Sequence, residues 1–216
     1  MADDKQRLDI DDTGLEDLLG GMFENVEDDM KSFDDYINLV MSLEREIYLG
    51  DITEGVGSSV CGYIRFWNKL DDKKGIDPKD RKPIKIYIDS NGGLLGDTLT
   101  MVDAIKLSKT PVWTICSGSA YSGGYFVFIS GHKRIAYPHS TFLFHEGATG
   151  TSGTSGQFEN FSAFYKKQLE SLKDIVLENT KITEKEYQEI KRDDVWYFAN
   201  EGIEKGFVDE IATEFN

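Results

Sequence analysis

Two runs of β-branched residues, each opening into glycine, constrain this chain most. Ile84-Lys85-Ile86-Tyr87-Ile88 leads into Asp89-Ser90-Asn91-Gly92-Gly93, and Val112–Cys116 leads into Ser117-Gly118-Ser119-Ala120-Tyr121-Ser122-Gly123-Gly124. β-Branched side chains suit a pleated, half-buried surface, and glycine lets the backbone turn where a Cβ would obstruct it. Between the two runs, Leu95, Leu99, Val102 and Ile105 recur at helical steps up to about Lys109, and Pro111 ends the pattern. Strand, tight turn, helix and strand in that order predict an α/β fold with mostly parallel pairing.

The flanking sequence repeats the theme. Glu46–Gly50 reads as a short strand, and Val56–Leu70 as a helix with Val56, Val60, Tyr63, Ile64 and Trp67 on one face. Asp71–Lys82 reads as a charged surface loop. Tyr125–Ile129 is expected to be helical, and Lys133–Tyr137 and Thr141–His145 to be strands. Gly147–Gly156 contains only Gly, Ala, Ser and Thr and is expected to be mobile. Phe158, Phe161, Tyr165, Leu169, Leu172 and Val176 then mark a long amphipathic helix, Gln157–Asn179. Thr183 and Glu186 form a capping-box pattern for a helix over Glu184–Arg192. A short helix at Ala199–Lys205 and a strand at Phe207–Ile211 complete the reading.

With 216 residues, the chain suits one well-filled domain, and its 39% hydrophobic content supplies a core. Its formal charge of −15 argues against nucleic acid and anionic membrane as partners. That charge is concentrated: residues 1–36 hold 13 acidic and 3 basic side chains, a net of −10. Residues 1–36 are therefore expected to form an acidic, flexible segment ahead of a globular body at 37–216, with a short helix around Gly14–Leu19 as the alternative. Apolar runs are too short for a spanning helix, and no basic stretch precedes an apolar one as in a secretory signal. Cys61 and Cys116 lie 55 positions apart, which fits neither a disulfide framework nor a metal spacing. A cytoplasmic, reducing location is the expectation.

The second glycine-rich junction places Ser122 where strand gives way to helix. A serine there is exposed, with backbone N–H groups nearby that can hold a developing oxyanion. The logic is that of a nucleophile elbow, although the literal G-x-S-x-G pattern fits neither Ser119 nor Ser122. The histidines are His132, His139 and His145. His145 ends the apolar strand Thr141–Phe144 and opens into the Gly/Ser/Thr-rich stretch, a position suited to a base. Asp193 and Asp194 precede Val195-Trp196-Tyr197-Phe198, and either could orient a histidine.

Taken together, ICSGSAYSGGYF, FLFHEG and RDDVWYFANEGIEKGFVDEI resemble ClpP, the proteolytic subunit family of the Clp protease. That family carries its serine after G-x-A-x, its histidine in M-I-H-Q-P and its aspartate before an apolar run leading to E-A-x-x-x-G-L-x-D. The resemblance covers roughly residues 40–213. It implies Ser122 as nucleophile, His145 as base and Asp194 as orienting acid, Asp194 being selected over Asp193 by counting back from Asp209. IYIDSNGG resembles the family's Y-I-N-S-P-G-G, which implies oxyanion N–H donors on Gly93 and Gly123. Asn91 stands where the family has proline, Glu146-Gly147 where it has Gln-Pro, and Gly123 where it usually has Met, the marks of a divergent member.

The resemblance further implies a ClpP/crotonase-like spiral of β-β-α units with a protruding handle helix, and a heptameric ring stacked in pairs to a tetradecamer. It implies peptide or unfolded-protein substrates and an AAA+ ATPase chaperone as possible partner, since the sequence carries no phosphate-binding GxxxxGK[ST] loop. No metal or cofactor is expected. Three rival readings stay open. One is a Ser–Lys peptidase resembling signal peptide peptidase A, with Lys85, Lys106 or Lys109 as base. Another is a crotonase-like enzyme whose paired N–H groups hold an acyl-CoA oxyanion. The last is an inactive paralogue serving as a scaffold.

Overall fold

A computed structural model describes residues 41 and 43–215. The helix expected around Gly14–Leu19 and the boundary expected at residue 36 lie outside the described residues.

Among the described residues, seven strands form one sheet, and residues of the helices join Ile84, Ile86 and Ile88 in one core cluster. The strands are β1 (Glu46–Leu49), β2 (Ile84–Ser90), β3 (Val112–Tyr121), β4 (Lys133–Ala136), β5 (Thr141–Phe144), β6 (Val195–Phe198) and β7 (Glu210–Ile211). The helices between them are α1 (Val56–Lys73), α2 (Leu95–Lys106), α3 (Gly123–Ile129), α4 (Ser155–Asn179), α5 (Glu184–Ile190) and α6 (Ala199–Lys205). The order β1-β2-β3-β4-β7 is parallel throughout; β5 joins β3 in parallel, and β6 closes the edge antiparallel to β5. This is the mixed, mostly parallel α/β architecture that the alternating strand and helix signals predict.

Alternation explains which way each strand faces. Ile84, Ile86, Ile88 and Ser90 of β2 are buried under the helices, with Val102 and Ile105 of α2 and most of α3. Lys85 and Tyr87 point to the other face, where Tyr48 and Tyr87 stack at 5.6 Å and the Lys133 ammonium sits 4.7 Å from the Trp113 ring.

The main difference from the sequence reading is β3. It was expected to end at Cys116, but it continues through the Ser/Gly run to Tyr121. Its first half pairs with β4 (Trp113↔Lys133 to Cys116↔Ala136), and its second half with β5 (Ser119↔Thr141 to Tyr121↔Leu143). One long strand thus serves two short neighbours. A register shift against β2 accommodates the small residues, and the Asp89 carboxylate fills the irregularity by accepting from the Ser119 N–H (2.9 Å) and hydroxyl (2.8 Å). Val195–Phe198, read only as an apolar run, is a strand, and the last strand is restricted to Glu210–Ile211.

Helix α4 begins in a capping box between Thr154 and Gln157 and buries Leu172, Ile175 and Val176 in its second half. Its first half leaves Phe158 and Phe164 more than half exposed, whereas Phe161 and Tyr165 lie against each other. Thr183 caps α5 by accepting from the Glu186 N–H, as the sequence pattern predicts. The Glu186 side chain pairs with Lys205. Among the described residues, no helix is long and apolar enough to cross a membrane.

Candidate active site

Three adjacent strands deliver Ser122, His145 and Asp194 to one end of the sheet. Ser122 is the first residue after β3, His145 the first after β5, and Asp194 the last before β6. The parallel pairing Tyr121↔Leu143 sets β3 beside β5, and the Ser122 N–H donates to the Leu143 carbonyl at 3.0 Å. The antiparallel pairing Phe144↔Val195 continues by one step to set His145 opposite Asp194. Strand register alone therefore brings together residues that lie 23 and 49 positions apart.

The geometry is close. With the imidazole proton on Nδ1, the Ser122 hydroxyl donates to His145 Nε2 across 2.7 Å. The same tautomer turns Nδ1–H toward Asp194 Oδ1, 3.3 Å away. The Asp194 side chain is 66% exposed, so this acid is solvated rather than enclosed. Asp193, its neighbour, is exposed and folds its N–H back onto the Ile190 carbonyl at 3.0 Å.

Ser122 holds φ +52° and ψ −118°, a positive-φ conformation that a side chain resists. The turn that imposes it is crowded from below. A Cβ on Gly92 would come within 2.7 Å of the Ser122 Cβ and of the Tyr121 carbonyl oxygen. A Cβ on Gly93 would meet the Ile52 carbonyl oxygen at 2.0 Å, because the Ile52 N–H donates to Gly92 and the Leu94 N–H donates to Ile52. The glycine pair after β2 is thus required by close approach to the serine turn. Gly92 was not singled out from the sequence, yet the doubled glycine at a strand end was the signal for it.

Gly93 and Gly123 face each other across this turn: a methyl built on Gly123 would lie 3.4 Å from the Gly93 nitrogen. Among the described residues, neither of their N–H groups has a hydrogen-bond acceptor. Both line a cleft of about 490 Å³ that also holds Ser122 and His145. Leu95, Thr98 and Phe126 form one wall, and Phe161, Tyr165 and Leu172 of α4 the other. Leu95, Phe161, Tyr165 and Leu172 read from the sequence as helix-face residues and Phe126 as part of a helical stretch, whereas Thr98 carries no signal in the sequence.

The other candidates fall elsewhere. His132 Nδ1 accepts from the Val112 N–H at 2.9 Å, a sheet contact, and His139 lies on an exposed turn. Burial pushes the Cys116 thiol up to about 12, so it stays protonated near neutrality. Lys85 lies 3.2 Å from Glu46, Lys106 2.6 Å from Glu178 and Lys109 3.4 Å from Asp72, and none of them lines the cleft. Among the described residues, no group of three or more His, Cys, Asp or Glu is arranged to hold a metal ion.

Comparison with known proteins gives the same direction. The profile of the Clp protease family matches residues 30–215. A protein of Mycolicibacterium paratuberculosis (strain ATCC BAA-968 / K-10), "ATP-dependent Clp protease proteolytic subunit 2", is 30% identical over 201 residues, covering 86% of this chain and 94% of the relative. Proteins of the same name from Prochlorococcus marinus strains MIT 9312 and MIT 9313 are 29% and 28% identical, covering 80% and 82% of this chain and 83% and 86% of the relatives. A family match over nearly all of the described body, on a chain whose serine, histidine and aspartate converge at one sheet end, has one consequence: the chain belongs to the Clp protease family.

Proposed function

We propose that this protein is a serine endopeptidase in which Ser122 is the nucleophile, His145 the base and Asp194 the orienting acid. Membership of the Clp protease family supports a peptidase. The observation that carries the finer reading is the 2.7 Å contact between Ser122 Oγ and His145 Nε2, with a carboxylate on the far side of the imidazole.

In this reading His145 takes the hydroxyl proton as Oγ bonds to the peptide carbonyl carbon. The Gly93 and Gly123 N–H groups receive the oxyanion, each such donor contributing about 10²–10³ in rate. His145 then passes its proton to the leaving amine as the C–N bond breaks. Water, deprotonated by the same imidazole, hydrolyses the ester and restores Ser122. Asp194 favours the tautomer with the proton on Nδ1 and stabilises the imidazolium. The two cleft walls are apolar enough to hold an apolar substrate side chain beside the serine.

The relatives are named as proteolytic subunits of an ATP-dependent protease. On that basis the chain works as part of an oligomeric chamber, built as stacked heptameric rings, with a separate ATPase presenting unfolded chains and a cytoplasmic setting. The Ser–Lys alternative has no support at the site, since its three candidate lysines pair with carboxylates elsewhere.

Labelling with diisopropyl fluorophosphate followed by peptide mass spectrometry tests the assignment. The label is expected on Ser122, and Ser122→Ala is expected to abolish both labelling and peptide hydrolysis. A label on another serine, or wild-type cleavage by Ser122→Ala, would overturn it.

A further inference from the structure

We propose that Tyr187, acting through Glu146, is a positioning residue for His145. The inference deepens the peptidase reading above and rests on it.

His145 leaves β5 just where sheet support ends. Phe144 is the last paired residue, and Gly147, at φ +80°, opens an exposed stretch without regular structure up to α4. An imidazole on such a strand end would swing with the backbone at Phe144–Glu146. Tyr187 of α5 touches the residue on each side of it. Its ring packs against Phe144 with centroids 5.6 Å apart, and its hydroxyl donates to Glu146 Oε1 at 3.2 Å. From α4, the Tyr165 hydroxyl makes a longer contact, 3.4 Å, to the Glu146 carbonyl. Two helices therefore hold the residue that follows the base.

The chemistry suits a fixed strut. Tyr187 is 1% exposed, so its ring has one place to sit. Burial and the Glu146 charge hold its phenol well above the usual range, so it remains a donor. Glu146-Gly147 stands where the resembling family has Gln-Pro, so Gly147 takes the place of the proline. A hydrogen-bonded side chain supplies here the restraint that a ring-locked φ supplies at such a position. The restraint matters because a serine–histidine pair tolerates little displacement: a misplacement of about 1 Å costs on the order of 10² in rate.

The test uses the full-length protein and two readouts, steady-state hydrolysis of a fluorogenic peptide and the second-order rate of inactivation by diisopropyl fluorophosphate. Tyr187→Phe keeps the ring and removes the strut. It is expected to lower kcat and the inactivation rate together by about 10- to 100-fold, with KM and the unfolding midpoint little changed. Glu146→Ala is expected to match it, the double variant to lose no more than either single one, and Glu146→Gln, which still accepts the phenol proton, to recover most of the loss. Tyr187→Phe with wild-type kcat and inactivation rate overturns the proposal, as does Glu146→Gln no better than Glu146→Ala. A wild-type protein that never takes up the reagent at Ser122 overturns the peptidase reading and the strut with it; a reactive wild type with unaffected variants overturns the strut alone.

Discussion

Ser122 is held where its backbone conformation is unfavourable, and such a residue typically costs about 1–3 kcal/mol. The cost falls on any L-side chain at that position, so it can be measured apart from catalysis. Ser122→Ala keeps a Cβ at φ +52° and is expected to leave stability near that of the wild type. Ser122→Gly removes the Cβ that lies against Gly92 and is expected to be more stable than Ser122→Ala by about 1 kcal/mol, although glycine is the more flexible residue when unfolded. Urea unfolding of the two inactive variants decides it; Ser122→Gly less stable than Ser122→Ala would mean that the turn is not strained. The neighbouring aspartates separate equally cleanly. Asp194 lies 3.3 Å from the imidazole, whereas Asp193 folds its N–H back onto the Ile190 carbonyl. Asp194→Asn is expected to lower kcat at least a hundredfold, but by less than the roughly 10⁴ of a buried triad acid, because this carboxylate is solvated. Asp193→Asn is expected to leave kcat within a factor of a few. If Asp193→Asn is the crippling change, the contact with His145 is not the one that orients the base.

At the scale of elements, the sheet's first strand is fastened by a buried ion cluster. Arg45, just before β1, donates to both carboxylate oxygens of Asp71 at the end of α1, at 2.6 and 2.9 Å, and to the Lys82 carbonyl at 2.8 Å. The Thr110 hydroxyl donates to Asp71 at 2.8 Å, and the Arg45 guanidinium lies 4.5 Å from the centre of the Trp67 ring. Burial alone would raise the Asp71 carboxyl, but the Arg45 and Thr110 hydrogen bonds hold it below the usual carboxylate range. Its contribution is therefore complete above the unfolded value of about 3.9 and is lost as pH falls through the lower folded value. Arg45→Met strands the carboxylate and is expected to cost about 3–5 kcal/mol at pH 7. Desolvation then dominates and the sign reverses, so the deficit against wild type should shrink as pH drops toward 4. A deficit independent of pH in chemical unfolding would assign the loss to packing of the arginine instead. None of this cluster was legible in the sequence, where Asp71–Lys82 reads as a surface loop, because its partners lie 26 and 39 positions from Asp71. What was legible had local causes: β-branched runs gave β2 and the start of β3, periodic apolar faces gave α1, α2 and α4, and Thr183 gave the start of α5. The continuation of β3 was hidden because Ser117–Tyr121 has turn composition and becomes strand only through Asp89 and β5. The strand β6 was hidden because its four residues owe their state to pairing with β5. Ser122, His145 and Asp194 were legible because each lies in a motif that resembles the family's, and Gly92 through the doubled glycine, whereas Glu146 and Tyr187 meet through a contact that no local pattern announces.

For the whole molecule, the exposed aromatic surface of α4 bears most directly on assembly. Phe158 and Phe164 are 58% and 56% exposed on a helix whose second half is anchored in the core. Two phenylalanines in the water-facing half of one helix, six positions apart, expose apolar surface with no covering element among the described residues. Large side chains left in this way favour association, and burying the exposed remainder of each would contribute about 1–2 kcal/mol. Self-association through α4 is therefore expected to be strong at micromolar concentration, in line with relatives named as subunits of a larger protease. The cleft ties this to activity, since Phe161 and Tyr165 of the same half-helix form one of its walls. Phe158→Ser and Phe164→Ser lie outside that wall and are expected to leave the protomer folded, because neither side chain is buried. Static light scattering should show the wild type as a discrete oligomer and the double variant shifted toward smaller species. Peptide hydrolysis should fall in step with the oligomer fraction and recover at high protein concentration, as mass action requires. A double variant of unchanged mass would mean that these aromatics do not hold copies together. A fully active monomer would mean that the α4 wall of the cleft keeps its place without a second copy.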